Sequence, residues 1–418
     1  MSKRIVVTGL GAVTPIGNSV SEYWESLLAG KCGIDTISAF DATDYPSRIA
    51  GEVKGIDFTN YVDPKELKRT DRYILLALAA ADEAVRDSGL DLSSVDLDRC
   101  GVIIASGVGG IKTFEAETKK LITRGPRRVS PFLIPMLITD MASGMISIKY
   151  GFKGMNYSVV SACASAAHAL GDAMISMRAG MIDVAVVGGA EATISRIGVA
   201  GFCSMKALST RNDEPAKASC PFDRKRDGFV MAEGSGIVVL ETLEHALARN
   251  AKIYGEFVGY GATGDAHHVS APSENHEGAQ RAMRMALSSA GIKPEDIDYI
   301  NAHGTSTQYN DKHESKALMQ VFGEYVHSVA ISSTKSMTGH LLGASGGIEF
   351  IASLMAINNN RIPPTINYED PDPECPLNYT PNTAVERNVR YVMSNSFGFG
   401  GHNAVLIVKQ YEPSEPNG

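Results

Sequence analysis

The order of sequence patterns along this chain occurs twice, and that repetition constrains the fold more than any single segment does. The first copy, from Leu78, reads LAAADEAVRDSGLDLSSVDLDRCGVIIASGVGG: a helical pattern, a glycine, an acidic link and a strand ending in small polar residues. The second, from Gly278, reads GAQRAMRMALSSAGIKPEDIDYINAHGTST and has the same parts. Ser88-Gly89-Leu90 answers Ala290-Gly291-Ile292, and Ala105-Ser106-Gly107 answers Ala302-His303-Gly304. Later pieces, YSVVSACASAAHAL and VAISSTKSMTGHLLGASGGIEF, are also similar in kind: a strand, a reactive-looking side chain and a small-residue helix. Two related halves meeting near residue 250 account for this order. No flexible linker separates them, so 1–250 and 251–411 are expected to share one core, and only the tail 412–418 reads as disordered.

Short apolar runs alternating with longer helical patterns give an α/β class, with a largely parallel sheet covered on both faces. Strands are expected near 5–8, 102–105, 157–160, 184–187, 236–241, 297–301, 329–332 and 404–408. Helices are expected near 73–88, 164–179, 278–290 and 348–358. The 418 residues are 44% hydrophobic and 21% charged, ample for a large core. A net charge of −8 argues against nucleic acid as a general partner. No apolar run approaches the ~18 residues of a membrane span, and the first residues lack a signal-peptide pattern. The six cysteines have neither CxxC nor framework spacing. A reducing, cytoplasmic setting is expected.

Cys163 stands where the β-branched run of Val159-Val160 gives way to small helix formers. At such an elbow the first turn of a helix offers unsatisfied N–H groups and the positive end of its dipole, which favour thiolate, the form that attacks carbonyls. His303, in NAHGTST, follows a strand, and His340, in SMTGHLLG, precedes a small-residue helix. Open α/β sheets gather working residues at the carboxyl ends of their strands, so the thiol and both imidazoles can converge. A metal centre is disfavoured, since HExxH, paired CxxC and ordered His/carboxylate spacings are all missing. Gly9-Leu10-Gly11 lacks the third glycine of a dinucleotide fingerprint, and such glycines read as tight turns. The stretch Asn395-Ser396-Phe397-Gly398-Phe399-Gly400-Gly401-His402-Asn403 reads as a Gly-rich turn able to aim backbone N–H groups into a cleft, with an aromatic gate.

Together, SACASAAHA around Cys163, NAHGTSTQYNDKHE around His303, SSTKSMTGHLLGASGGIE around His340 and the terminal NSFGFGGHN resemble the β-ketoacyl-acyl carrier protein synthases, nearest to the type II condensing enzyme of bacterial and organellar fatty acid synthesis. The resemblance runs through Gln410. It implies a thiolase-like αβαβα five-layer fold, a homodimer, and decarboxylative condensation of an acyl thioester with malonyl-carrier protein. By the same resemblance Cys163 accepts the acyl group, His303 and His340 donate to the malonyl thioester oxygen, and Phe399 is both oxyanion donor and gate. Lys335 and Glu349 would then be a charge pair supporting the histidines, chiefly His340. Thr305 and Thr307 would contact pantetheine, and Val108 and Phe202 would border the acyl pocket. Val108 is smaller than the isoleucine expected there, so long acyl groups should fit. Lys65, Lys68, Arg69, Arg127, Arg128 and Lys206 would steer an acidic carrier protein despite the global charge. No cofactor is implied beyond the substrates' own phosphopantetheine, with room for a structural monovalent cation. Gln308-Tyr309 and His402 depart from the family pattern and leave the shape of the entrance open. Two alternatives stand: a thiolase or polyketide-type enzyme using coenzyme A thioesters, and a non-catalytic chain-length-factor-like partner.

Overall fold

The computed structural model describes residues 3–413, so most of the expected tail, 414–418, lies outside the described residues. The main sheet is built from β1 (Ile5–Val13), β2 (Cys100–Ala105), β3 (Asn156–Tyr157), β4 (Val184–Glu191), β5 (Gly234–Thr242), β6 (Gly255–Gly264), β7 (Tyr299–Asn301), β8 (Ala330–Ser332), β9 (Tyr391–Gly398) and β10 (His402–Lys409). Its order is β8-β7-β9-β10-β6-β1-β5-β4-β2-β3. The two halves of this order are copies. Outward from β1, the neighbours are antiparallel β5, antiparallel β4, then parallel β2 and β3. Outward from β6 come antiparallel β10, antiparallel β9, then parallel β7 and β8. A short antiparallel junction, Val6↔Glu256 and Val7↔Gly255, joins them.

Helices complete five layers. Helix α1 (Arg72–Ser88) and α2 (Met141–Tyr150) cover the outer face of the first half, and α4 (Glu277–Ala290) and α5 (Gln308–Phe322) that of the second. Between the halves lie α3 (Ser165–Arg178) and α6 (Ser345–Asn359), packed on each other and on strands of both. Strand alternation follows from this sandwich. In β5, Val238 and Leu240 join the central core with Leu170 of α3 and Ile351 of α6, whereas Ile237 and Val239 join the outer core with Ile74 and Ala80 of α1.

Gly9 and Gly11 lie within β1, not in a turn as their spacing suggested. A Cβ on them would lie 2.2 Å from the Ala84 carbonyl oxygen and 1.9 Å from that of Ala80. Their role is to let α1 approach the strand, and Gly259 and Gly261 of β6 do the same against Ala286 and Ala282 of α4. The outer helices both end on a left-handed glycine, Gly89 and Gly291, as the repeated Gly-acidic link implies.

Four expectations need correction. The sheet is mixed rather than largely parallel: β9, β10, β6, β1, β5 and β4 pair antiparallel in succession, and only the strands outside them run parallel. Residues 158–160 are not strand, because the chain leaves the edge of the sheet after Tyr157 to form the elbow. The β6 and β9 strands were not anticipated at all. The stretch Asn395–Gly398 is the end of β9, paired with His402–Val405, so only residues 399–401 turn. No helix among the described residues is long and apolar enough to cross a membrane.

Candidate active site

Cys163 occupies a single 3-10 turn, Ala162–Ala164, immediately before α3. Ala162 has φ 51, a strained left-handed conformation for a non-glycine residue that turns the chain sharply into the helix. Ser165 secures the turn: its Oγ donates to the Ala162 carbonyl at 2.6 Å and accepts from Ser161 N–H at 2.9 Å. The Gly-rich turn packs directly on this elbow. A Cβ on Gly398 would lie 2.8 Å from the Ser161 carbonyl oxygen and 3.1 Å from the Cys163 nitrogen, and the next N–H, of Phe399, donates to the Cys163 sulfur.

His303 follows β7, and His340 is pinned to Val230–Ala232 by backbone hydrogen bonds of 2.8 and 2.9 Å. Their rings meet edge to face, centroids 5.4 Å apart. Both are buried with Cys163 in the wall of one cavity of about 480 Å³. Val108, Phe202, Thr305, Thr307, Lys206 and Phe399 line the same cavity, so every residue expected at the substrate converges there. Phe229 edges His340 at 5.3 Å and Phe202 at 5.4 Å, carrying an aromatic wall from the histidine into the apolar branch.

The electrostatics differ from the sequence reading at one point. Burial pushes the Cys163 thiol up to about 12, opposed by the positive charge of Lys335 and by the Phe399 N–H. Helix-end stabilisation is outweighed by desolvation, so the resting group is the thiol. Burial, then Lys335, holds both imidazoles well below the ordinary histidine value, so they are neutral at pH 7.

Lys335 and Glu349 form the expected pair, Nζ to Oε1 2.5 Å, wholly buried. The pair serves His303 rather than His340, however. Lys335 Nζ donates to the His303 carbonyl at 2.6 Å, while Nδ1 of His340 meets the Ser345 hydroxyl at 2.9 Å. The Nε2 of His340 has no hydrogen-bond partner.

Glu314, Glu191 and His276, at or behind the cavity, were not foreseen, and Tyr309 was named only as a departure from the family pattern at the entrance. Glu314 of α5 accepts from the N–H groups of His303 and Gly304, both at 2.8 Å. Glu191, at the end of β4, accepts from Gly107, Val108 and Gly343. His276 lines the cavity with its ring 4.8 Å from that of Phe397, and Tyr309 stands 71% exposed at the rim. Carboxylates that act on backbone N–H groups leave no spacing signature, which is why only coordinates find them.

The six cationic residues expected to meet a carrier protein are all exposed. Lys65, Lys68 and Arg69 lie on one segment and Arg127 and Arg128 on another, with the Arg69 guanidinium 4.7 Å over Phe132 just beyond it. Among the described residues no group of three or more His, Cys, Asp or Glu is arranged to hold a metal ion.

Comparison with known proteins agrees with this geometry. The family model described as beta-ketoacyl synthase, N-terminal domain, matches residues 2–246, and that described as beta-ketoacyl synthase, C-terminal domain, matches residues 254–369. The 3-oxoacyl-[acyl-carrier-protein] synthase 2 of Synechocystis sp. is 52% identical over 410 residues, covering 98% of this chain and 99% of that protein. Among solved structures, the ishigamide ketosynthase/chain length factor superposes with a TM-score of 0.93 at 36% identity, over 99% of this chain and 100% of that one. A type II PKS acyl-carrier protein in complex with its ketosynthase bound to the hexaketide gives 0.91 at 34% identity, over 98% and 100%.

Proposed function

The chain belongs to the β-ketoacyl synthase family, and from that premise we propose that Cys163, His303 and His340 carry its chemistry. It is a condensing enzyme of the acyltransferase class, joining an acyl thioester to malonyl-acyl carrier protein with loss of carbon dioxide to lengthen a fatty acid by two carbons. The observation that supports the residue assignment is the convergence of one sulfur and two neutral imidazoles on one cavity wall.

In the first half-reaction the Cys163 sulfur attacks the acyl-carrier thioester. The carbon–sulfur bond to the carrier breaks, and the thiol proton leaves with the carrier's sulfur. N–H groups of Cys163 and Phe399 meet the developing oxyanion. In the second, an N–H from each histidine bonds the malonyl thioester oxygen. Neutral rings suit this role; in the tautomer in which the Ser345 hydroxyl donates to Nδ1 of His340, the proton sits on Nε2, which has no partner within the protein. The bond to the carboxylate breaks, carbon dioxide departs, and its electron pair passes into an enolate that attacks the Cys163 thioester. The Cys163 sulfur is released and regains a proton.

Carrier protein docks, in this reading, on Lys65, Lys68, Arg69, Arg127, Arg128 and Lys206, while Thr305 and Thr307, hydroxyl oxygens 3.0 Å apart, hold the pantetheine amides. Val108 and Phe202 border the acyl chain, Phe399 gates it, and the enzyme works as a cytoplasmic homodimer. No metal or cofactor takes part in the chemistry. A structural monovalent cation, were one bound, would find buried oxygens without partners on Asn301 and Ser394, which are register partners across β7 and β9.

The test separates the half-reactions. Cys163→Ala should abolish transfer of radiolabelled acyl groups from carrier to enzyme. His303→Ala or His340→Ala should still load the acyl group yet fail to condense it, and normal condensation by His340→Ala would refute its assigned role.

A further inference from the structure

The duplication supplies two elbows, and only one carries a thiol. Ala162, with φ 51, precedes Cys163, and Leu342, with φ 48, precedes Gly343 in the matching 3-10 turn before α6. Each elbow rests on a strand of the other half. The Cys163 elbow abuts Gly398 at the end of β9; the Gly343 elbow abuts β4, where a Cβ on Gly189 would lie 2.9 Å from the Gly343 carbonyl oxygen. Strands β4 and β9 correspond and are both eight residues long, so Gly398 is matched by Glu191. Where one half presents a glycine and a backbone N–H to the sulfur, the other presents a carboxylate to the empty elbow.

That carboxylate is fully buried and satisfied by five neutral donors. Its Oε2 accepts from Gly107 N–H at 2.7 Å and Gly343 N–H at 3.0 Å, and its Oε1 from Val108 N–H at 3.3 Å, Ser106 Oγ at 3.2 Å and Thr193 Oγ at 3.0 Å. Burial pushes Glu191 upward, and the bonds from Gly107, Thr193, Gly343 and Ser106 oppose that push in favour of the anion. Gly107, Val108 and Leu342 all line the substrate cavity.

We infer that Glu191 is a built-in anion occupying the second copy of the acyl site, and that it acts as a positioning residue, holding the Gly107–Val108 loop and the Gly343 turn against the chamber that contains Cys163. The inference rests on reading Cys163 as the acyl acceptor. Its charge also reaches that thiol, which it pushes upward.

Two variants test this, each read beside wild type. Glu191→Gln keeps size but replaces one acceptor oxygen with a donor and removes the charge. Alkylation of Cys163 by iodoacetamide, followed by peptide mass spectrometry, should then shift to lower pH, and acyl loading should slow by roughly tenfold as the loop loses its register. Glu191→Ala should lose loading and regain it with added formate, which can bridge the freed Gly107 and Gly343 N–H groups, but not with chloride at equal ionic strength. An unmoved alkylation profile in Glu191→Gln overturns the proposal, as does a folded Glu191→Ala that ignores formate. Should Glu191→Ala fail to fold, the alkylation profile decides alone. Wild-type enzyme that takes no acyl group on Cys163 would sink the underlying reading instead, and the alkylation measurement is independent of that result.

Discussion

At the scale of single residues, the chemistry turns on how burial sets protonation. With its thiol at about 12 against an ordinary 9, Cys163 should be alkylated at a rate that still climbs above pH 9, unlike a free thiol, whose rate levels off there. A plateau at pH 8 would contradict a desolvated thiol. The histidines move the opposite way. Their folded values lie well below 6.5, so the folded enzyme stays unprotonated at both rings where the unfolded chain takes up protons. Condensation by acyl-loaded enzyme should therefore persist as pH falls through 6.5, while folding stability drops over the same interval, because the unfolded state binds more protons. Replacing both rings by asparagine should flatten that part of the stability–pH curve in denaturant titrations. Cys163, His303 and His340 were legible in the sequence because each stands at a strand or helix end among small residues. Glu191, Glu314 and Ser345 were not, since their partners are backbone groups or a ring brought near by folding.

At the scale of elements, close backbone approach is the recurring device. Strand β5 meets α6 so closely that a Cβ on Gly236 would lie 2.4 Å from the Ile348 nitrogen. Gly236→Ala should force the central helix off the sheet and cost about 1–3 kcal/mol, the usual penalty for overpacking; an unchanged thermal melting temperature would show that the contact yields. The same intimacy explains why two strands were missed. GEFVGYGATG in β6 spends alternate positions on glycines that admit α4, and YVMSNSFG in β9 turns Ser394 and Ser396 toward α6, where Gly346 leaves room for the Ser396 hydroxyl. Neither has the branched apolar alternation by which strands are read. The outer helices were found nearly to the residue, because α1 and α4 carry both an amphipathic pattern and a terminating glycine.

At the scale of the whole molecule, a −8 protein must attract an acidic partner through a local field. Reversing Lys65 and Arg69 to glutamate should raise KM for acyl carrier protein with little change in kcat, and the effect should shrink with added salt as screening sets in. An unchanged KM would remove that face as the docking site. Sedimentation analysis should give twice the 44.5 kDa of one chain if the enzyme is a homodimer.

The sequence by itself determined the doubling, the layer class and the three side chains that meet in the cavity wall, because repeated order, apolar periodicity and local punctuation are properties of the linear chain. Only the tertiary structure decided that the thiol rests protonated, that Lys335 serves His303 while Ser345 orients His340, and that a carboxylate fills the second elbow. Protonation depends on desolvation, and hydrogen bonds on which backbone groups face one another across two interlocked halves, so neither exists until both copies have packed.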